Sequence, residues 1–312
     1  MPAEELANWV GDVEAFTSEY WHRKPGVFHP GQTPASPLSL ADVDTVVAGG
    51  LLRTPHLEMT RASKVIPDEA YTTSRLIGAE AKGFADPVRV IEQLKDGATL
   101  LLRNTEQWHR PSAELARRLA DEFGRWVDAY YFITPPGAQG LPLHRDDADV
   151  LLFQVEGSKA WTVKGGPDTA NWRQGRVSGD PGPDLLETTL HPGDVLYIPR
   201  GHAHMAVGNE GLSMHLSLTI REVGAQELVR AAPRLLLGGL KLATRPLDDE
   251  SLLASAAHVL DLMRARRSEV GPQELLDHAR LAQRRFPLDE HDSGGILEYA
   301  ASLLEERGAA AA

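Results

Sequence analysis

The segment LPLHRDDADVLL, residues 141–152, places a histidine and two aspartates directly before an apolar run. In an extended segment residues i and i+2 share a face, so His144 and Asp146 point together, away from the side that Arg145 takes. An imidazole and a carboxylate on one face can both bind a metal ion. Asp147 shares the face of Arg145 and is expected to bond locally. A polar turn before a strand has the same composition, so this spacing alone leaves both interpretations open.

A second polar cluster ends the segment PGDVLYIPRGHAH. A Pro-Gly-Asp turn starts a strand, Pro199 ends it and Gly201 bends the chain back, after which His202 and His204 follow. The spacing of Gly193, Pro199 and Gly201 resembles the second conserved cupin motif. That resemblance implies His204, rather than His202, as the metal-binding histidine.

Together the two clusters make up a set of two histidines and one carboxylate. Such a set suits Fe(II), because it covers one face of the metal and leaves three positions open for other ligands. A zinc hydrolase would accept the same ligands, so their identity alone does not settle the metal. The chain has no cysteine, which excludes thiolate zinc sites, iron–sulfur clusters, disulfides and cysteine nucleophiles.

Composition limits the kinds of partner. With 312 residues, 42% of them hydrophobic and 24% charged, the chain can bury a sizeable core and is expected to be soluble and globular. A net charge of −12 argues against direct binding of nucleic acid. We find no apolar run near the roughly 18 residues of a membrane span and no signal-peptide pattern. We therefore expect a cytoplasmic protein that binds neither nucleic acid nor membrane.

The elements that position the clusters are predicted strands between residues 97 and 222. This region contains six short runs that are rich in β-branched or aromatic residues and separated by Gly, Pro and Asp turns: ATLLLR, YYFIT, VLLFQV, AWTVK, DVLYIP and LSLTI. Short strands at this spacing predict a sandwich, jelly roll or barrel. A Pro- and Gly-rich insert, 165–187, interrupts them and is predicted to be a long surface loop.

Helices are predicted on both sides of this core. Residues 1–96 are predicted to be a mixed, mostly helical segment that packs on the core, with Ser39 as a helix N-cap and Gly49 as the stop of that helix. Residues 223–312 are predicted to be a helical region. Three apolar stripes support this second region: Leu253, Ala257, Leu260 and Met263; Leu275, Ala279, Ala282 and Phe286; and Ile296, Ala300 and Leu303.

Three longer stretches carry a family resemblance: TPPGAQGLPLHRDDADVLLFQVEGSKAWTV, LHPGDVLYIPRGHAHMA and SMHLSLT. Together they resemble the JmjC-type 2-oxoglutarate oxygenases of the cupin superfamily, and the ribosomal oxygenases among them. The stretches EYWHRKPGVF and DGATLLL resemble the same subgroup. The resemblance implies a mainly β core with flanking helices, a double-stranded β-helix or jelly roll, and a C-terminal helical region. It also implies Fe(II) held by His144, Asp146 and His204.

The resemblance further implies where the co-substrate 2-oxoglutarate binds. Lys159, in EGSKAW, stands where the family has a cation for the distal carboxylate, and such a charge-assisted bond is strong in a dry pocket. An ordinary turn lysine is the alternative. His215 and Thr219 share a face of the last core strand, where the family often has polar groups near the oxoacid, although a half-buried strand would look the same. Tyr130 stands where the subgroup often has an asparagine beside the co-substrate, so the chain departs from the pattern there.

The implied reaction is hydroxylation of a C–H bond of a protein or peptide residue, such as one of a ribosomal protein, with Fe(II), 2-oxoglutarate and dioxygen. Hydroxylation of a free amino acid or a peptide natural product is the main alternative. A cupin isomerase and a non-catalytic binding module are further ones. In the subgroup a helical dimerisation region and then a winged-helix domain follow the core. We therefore expect a homodimer that forms through the C-terminal helices. The C-terminal region is short for a full winged-helix domain.

Overall fold

The computed structural model describes residues 4–31, 34–61, 64–239, 245 and 248–283. Within these residues the chain forms two antiparallel sheets, a separate hairpin and flanking helices. The strands are β1 (Gly26–Phe28), β2 (Leu57–Arg61), β3 (Lys64–Val65), β4 (Thr72–Ile77), β5 (Ala79–Ala85), β6 (Thr99–Leu102), β7 (Val127–Thr134), β8 (His144–Arg145), β9 (Ala148–Glu156), β10 (Lys159–Lys164), β11 (Gly175–Arg176), β12 (Asp184–Leu190), β13 (Val195–Ile198), β14 (His204–Gly208) and β15 (Ser213–Arg221).

Helices precede, interrupt and follow these strands. They are α1 (Glu4–Val10), α2 (Val13–Ala15), α3 (Leu40–Ala48), α4 (Pro87–Lys95), α5 (Arg110–Phe123), α6 (Ala225–Leu237), α7 (Asp249–Arg267) and α8 (Pro272–Gln283). A π-helical turn, Phe16–Tyr20, continues α2, and two 3₁₀ turns lie at Asp68–Ala70 and Thr105–Gln107.

Two sheets pack face to face around the centre of the core. The larger has the order β1-β13-β9-β15-β7-β6-β2-β3, and the smaller has the order β11-β8-β14-β10-β12. Alternation along β9 explains the layers, since successive side chains of a strand point to opposite faces. Leu151 and Phe153 pack in the cluster beneath the helices, whereas Val150 and Leu152 pack against Trp161 of the opposite sheet. Each of the six predicted strands overlaps an observed one, and the prediction of a mainly β jelly roll with flanking helices is confirmed.

The first 96 residues contribute more strand than their sequence indicates. β1 pairs with β13 at one edge of the larger sheet, while β2 and β3 extend the other edge beyond β6. These strands are only three, five and two residues long. Runs this short show no clear alternation, and their pairing partners lie far away in the sequence, which is why a local pattern does not reveal them.

Ser39 caps α3 as predicted, and the helix ends at Gly49. Asp42 N donates to Ser39 Oγ, and Ser39 N donates to the Asp42 carboxylate, which makes a reciprocal capping box. We expect Ser39→Ala to lower the free energy of unfolding by about 1 kcal/mol, because it leaves a helix N–H unpaired. Urea denaturation checks this, with Ser255→Ala on the exposed part of α7 as a control. Equal stability of the two variants would contradict the role of the cap.

The C-terminal helices differ in how they contact the core. Ala231 of α6 and Ala279 of α8 are buried in a small cluster with Val223, just after the last core strand. In contrast α7 buries no side chain fully, and its predicted stripe is largely exposed, including Leu253 and Leu260. The predicted positions Phe286, Ile296, Ala300 and Leu303 lie outside the described residues. Among the described helices we find none that combines the length and the apolar character needed to cross a membrane.

Candidate metal centre

His144, Asp146 and His204 come together at one end of the smaller sheet. β8 and β14 are neighbours, and His144 pairs directly with His204 across them. Nε2 of His144 lies 3.7 Å from Oδ2 of Asp146, and Nε2 of His204 lies 3.6 Å from the same oxygen. One ligand atom from each side chain falls within a 4.8 Å cluster. The three side chains could therefore bind one metal ion from one side.

Both imidazoles are held in the tautomer that binds a metal. Nδ1 of His144 donates to the Pro142 carbonyl at 2.8 Å, and Nδ1 of His204 donates to the His202 carbonyl at 3.0 Å. A carbonyl oxygen can only accept, so the proton lies on Nδ1 in each ring. Nε2 of each neutral ring is then left with a lone pair directed at Asp146.

The electrostatics of the cluster favour a cation. Burial alone would raise the pKa of Asp146, but hydrogen bonds and charge from His144 and His204 outweigh it and hold that pKa well below its ordinary value. Burial likewise disfavours a charged His144, yet Asp146 raises the pKa of this imidazole above its ordinary value. The carboxylate is thus ionised, and a metal ion between it and the two Nε2 atoms would supply the positive charge that this cluster favours.

A tight turn places His204, and it requires glycine at Gly201. This residue has φ +80°, a left-handed conformation that glycine adopts without steric cost. A Cβ atom there would also lie 3.0 Å from Pro167 and 3.2 Å from Trp172. His202 lies in the same turn but outside the metal cluster. Its pKa is lowered by burial, and its Nδ1 has no hydrogen-bond partner among the described residues.

The neighbours of the ligands have other roles. Asp147 points away, as parity predicts, and pairs with Arg200, whose Nη2 lies 2.6 Å from its carboxylate. Arg145 also points away, but it is buried rather than solvated or at the mouth of a pocket. Its guanidinium donates to the carbonyls of Gly165, Gly201 and Pro181. Arg145 therefore ties the Pro- and Gly-rich insert to the turn before His204.

The insert is joined to the metal strand by main-chain bonds as well. Its short strand β11 pairs with β8, opposite the His144–Arg145 dipeptide. Val177 N donates to the Leu143 carbonyl at 3.0 Å, and Gln174 reaches the wall of the cavity described next. The predicted surface loop is thus also an edge of the candidate site.

The metal cluster opens into a cavity of about 980 Å³ between the two sheets. Larger-sheet strands contribute alternate residues to its wall. On β7 these are Asp128, Tyr130 and Phe132, and on β15 they are His215, Ser217, Thr219 and Arg221. α6 and α8 line its outer end with Ala231, Arg234 and Ala279, among others. The candidate site therefore extends from the jelly roll to the C-terminal helices.

Lys159 is a buried cation in this cavity. Its ammonium donates to Thr134 Oγ1 at 2.9 Å and lies about 6 Å from the Phe132 and Trp161 rings. No carboxylate pairs with it in the described part of the chain. Burial lowers its pKa to about 7, since an unpaired charge in an apolar setting favours its neutral form. This arrangement fits a site for an anion better than a turn lysine.

Two further buried nitrogens in the cavity have no partner among the described residues. They are Nδ1 of His215 and Nε1 of Trp161. His215 stacks on Phe132 at 4.9 Å, and its pKa lies well below the ordinary value, because burial and then the Lys159 charge disfavour the imidazolium. Buried polar atoms are rarely left unpaired, so two unpaired ring nitrogens on the wall of a cavity that also holds the Lys159 ammonium indicate a polar ligand.

Thr219 and Tyr130 lie farther along the same face. At 3.3 Å per residue, Thr219 is about 13 Å from His215 along β15. Thr219 Oγ1 lies 3.5 Å from Oδ2 of Asp128, and the Tyr130 hydroxyl accepts from Arg221 Nη2 at 3.4 Å. Burial raises the pKa of Tyr130, so its hydroxyl stays protonated. The structure thus places both residues on the cavity wall, away from Lys159.

The sequence interpretation missed several residues in and next to the cavity wall. Thr134 touches Lys159, and Asp128 accepts from Arg221 Nε at 2.8 Å and from Trp126 Nε1 at 2.7 Å. The signal that could have found them is parity. Asp128 and Thr134 alternate with Tyr130 along one strand, and Arg221 continues the face of Thr219.

The unpaired Lys159 should make stability depend on pH. Its pKa is about 7 in the folded chain against an ordinary 10.5, so the unfolded chain binds this proton more tightly. The folded state is therefore weakest below about pH 7 and gains stability up to about pH 10.5, by a few kcal/mol in order of magnitude. Lys159→Met should lack this gain when urea denaturation is compared at about pH 6 and about pH 9. If the free energy of unfolding changed between the two pH values by the same amount in Lys159→Met as in the wild type, the burial of an unpaired charge would be contradicted.

Comparison with known proteins matches residues 104–228 to the model of the JmjC domain. Ribosomal oxygenase 2 of Rattus norvegicus is 30% identical over 233 residues, which cover 67% of this chain and 44% of that protein. Ribosomal oxygenase 1 of Gallus gallus is 29% identical over 216 residues, covering 65% of this chain and 34% of that protein. The chain thus spans less than half the length of these relatives.

Solved structures give the same fold. The X-ray structure of E. coli YcfD superposes with a TM-score of 0.55 at 20% identity, covering 85% of this chain and 69% of that one. The ribosomal oxygenase YcfD from Escherichia coli in complex with cobalt and 2-oxoglutarate superposes with a TM-score of 0.53 at 20% identity, covering 82% and 68%. At this identity the similarity establishes the fold alone.

Proposed function

We propose, from the JmjC-domain match of residues 104–228 and the similarity to the ribosomal oxygenases, that this chain is an Fe(II)- and 2-oxoglutarate-dependent dioxygenase of the cupin superfamily. Its substrate is a C–H bond of a protein or peptide residue. One observation supports the proposal most: a cluster of two histidines and one aspartate shares a cavity with a buried lysine. Among the described residues, no carboxylate forms an ion pair with this lysine.

The residues present fit a metal ion of this kind. His144, Asp146 and His204 would hold Fe(II) through two Nε2 atoms and one carboxylate oxygen, with both Nδ1 protons fixed by carbonyls. This set occupies one face and leaves the positions toward the cavity for the co-substrate and dioxygen. A structure with the same fold, YcfD from Escherichia coli, holds cobalt and 2-oxoglutarate, which supports a metal ion and this co-substrate here.

The cavity also fits the co-substrate. 2-Oxoglutarate has a second carboxylate, and the Lys159 ammonium with the Thr134 hydroxyl would bind it, while His215 and Trp161 offer their unpaired ring nitrogens. When bound, Fe(II) and 2-oxoglutarate would supply the oxidising chemistry, in which one atom of dioxygen enters succinate as the oxoacid loses carbon dioxide and the other enters a substrate C–H bond.

The chain's own residues bind and orient the co-substrate, and they exclude water from its binding site. An anion beside Lys159 would return the pKa of this lysine toward its ordinary value, so the pair is charged when the site is filled. Phe132, Trp161 and Leu152 form apolar walls that keep water away from the pair. We assign Thr219 and Tyr130 to the wall beside the co-substrate on the side of Asp128, where they would also meet the substrate.

The alternatives differ in how well they fit. Hydroxylation of a free amino acid or a peptide natural product uses the same site, and the size of the cavity, about 980 Å³, admits either a side chain or a small molecule. A cupin isomerase usually binds its metal through three histidines and a glutamate, whereas the described cluster has two histidines and an aspartate. A non-catalytic binding module would not need three intact ligands beside Lys159.

We further propose a cytoplasmic homodimer that forms through the C-terminal helices. The exposed leucines of α7, Leu252, Leu253 and Leu260, are apolar surface that a second copy could cover. The net charge of −12 supports a basic protein or peptide as substrate rather than direct contact with nucleic acid.

The substrate can be found by mass spectrometry. Proteins, with ribosomal proteins first, and free peptides from cells that lack this chain are incubated with it, Fe(II), 2-oxoglutarate and isotopically labelled dioxygen. We expect one protein or peptide to gain the mass of one labelled oxygen atom, and none to gain it with His144→Ala. A labelled product among free amino acids or small peptides only would favour the alternative substrate class. Labelling that persists with His144→Ala would contradict the proposed site.

A further inference from the structure

The N-terminal stretch EYWHRKP contacts the core at a strained residue. His22 has φ +60°, a left-handed conformation that is costly for a residue other than glycine. Trp21 fixes this turn by stacking on Phe123 at 4.8 Å and on Tyr197 at 5.7 Å. His22 N donates to the Tyr197 hydroxyl at 2.9 Å. Backbone strain of this kind persists only where surrounding contacts stabilise it, so the contacts of His22 must hold the residue in this conformation.

The His22 side chain reaches Asp149, a fully buried carboxylate. Its Nε2 lies 3.1 Å from Asp149 Oδ2, a close polar contact whose geometry is not that of an aligned hydrogen bond. Tyr197 donates its hydroxyl proton to Asp149 Oδ1 at 2.5 Å, and Arg200 N donates to the same oxygen at 3.2 Å. A buried carboxylate is stable only when donors surround it, so Asp149 holds these groups together.

Asp149 joins the two loops that carry the metal ligands. It lies three residues after Asp146, and its partner Arg200 lies four residues before His204. The same loops are linked by Gly201 N, which donates to the Asp146 carbonyl at 3.0 Å, and by the pairing of Arg200 with Asp147. These two links join only the loops to each other. The contacts of Asp149 also connect the loops to the N-terminal segment, through Tyr197 and His22.

None of the three residues of this network lines the cavity. On β9, Asp149 lies on the same face as Leu151 and Phe153, which point toward the helices. Val150 lies on the other face, which points toward the opposite sheet. A role in contacting substrate or metal is therefore excluded by position. What the network can control is the separation of the two loops and hence of their ligands.

We propose that His22, Tyr197 and Asp149 form a positioning network for the metal centre, so that the N-terminal segment sets the spacing between Asp146 and His204. The proposal rests on the metal site of the proposed function. Partners of metal ligands in the surrounding shell typically contribute about 10- to 100-fold in metal affinity. Because this network acts through the loop backbone, we expect its contribution to metal affinity to lie at the lower end of that range.

The test uses Co(II) as a probe, with its affinity measured by the visible absorption of the bound ion. Tyr197→Phe keeps the ring that packs against Phe16 and Trp21 but removes the hydroxyl. We expect it to weaken Co(II) binding about tenfold. The matched control is Tyr71→Phe, because Tyr71 is equally buried and donates to Asp68 at 2.8 Å away from the metal loops. Both variants should lose stability, and only Tyr197→Phe should lose affinity.

A rescue experiment separates positioning from general stability. Asparagine adopts positive φ readily and has an amide donor, so His22→Asn should retain most of the Co(II) affinity, whereas His22→Ala should lose it as Tyr197→Phe does. Equal Co(II) affinity of Tyr197→Phe and the wild type would overturn the network, as would an equal loss in Tyr71→Phe. Failure of the wild type to bind Co(II) would instead overturn the proposed function.

Discussion

Replacing His204 by alanine is expected to abolish metal binding, and with it the turnover of 2-oxoglutarate. Nε2 of His204 is one of three ligand atoms in the cluster, and two ligands on a partly open site cannot hold a divalent ion tightly. We expect Co(II) affinity to fall by more than about 100-fold, beyond the range that loss of an outer partner produces. Calorimetric titration with Co(II) measures this directly.

His202→Ala is the matched control, since His202 lies two residues away in the same turn. The His204 ring accepts nothing from the His202 side chain; it donates to the His202 carbonyl, which alanine keeps. The control should therefore retain Co(II) affinity within a few-fold. Loss of affinity in His202→Ala with retention in His204→Ala would show that the other histidine is the ligand.

Replacing Lys159 by methionine is expected to weaken 2-oxoglutarate binding by about 100-fold, or about 2.7 kcal/mol. The change keeps the length of the side chain and removes the charge that would pair with the distal carboxylate, and truncation of one partner of a buried pair costs this much. Metal affinity should change little, since Lys159 is not in the metal cluster. Calorimetric titration of the metal-free protein with Mn(II), and then of the Mn(II)-loaded protein with 2-oxoglutarate, measures the two affinities.

Lys164→Met provides the comparison for this effect. Lys164 ends the same strand, but it pairs with Asp184 outside the cavity. It should leave 2-oxoglutarate binding unchanged. If Lys159→Met lost metal and 2-oxoglutarate affinity in equal measure, the lysine would be a structural part of the core and the assignment of an anion site would be wrong.

Much of this architecture could be predicted from local sequence. The Gly-Pro-Gly spacing before His204 works because a turn needs Gly201 at positive φ, and this requirement is visible in the residues themselves. Parity placed His144 and Asp146 together and assigned Arg145 to the other face. The short apolar runs predicted the core strands for the same reason, since alternation is a local property.

What the sequence could not give depends on partners that are distant in the chain. Parity assigns Arg145 only to the face away from the metal ligands, and its burial depends on carbonyls that Gly165 and Gly201 present to it from two other segments. Likewise β2 extends the larger sheet beyond β6, and Asp149 contacts His22, which lies far from it in the sequence. Contacts of this kind arise only once the sheets are assembled.

The most direct test of the central claim is succinate formation from 2-oxoglutarate by the purified wild-type chain. We expect succinate only when Fe(II) and dioxygen are both present, and none with His144→Ala under the same conditions. A slow uncoupled reaction without substrate is sufficient for this measurement. Absence of succinate from the wild type with Fe(II) and dioxygen, or equal formation by His144→Ala, would contradict the proposed oxygenase.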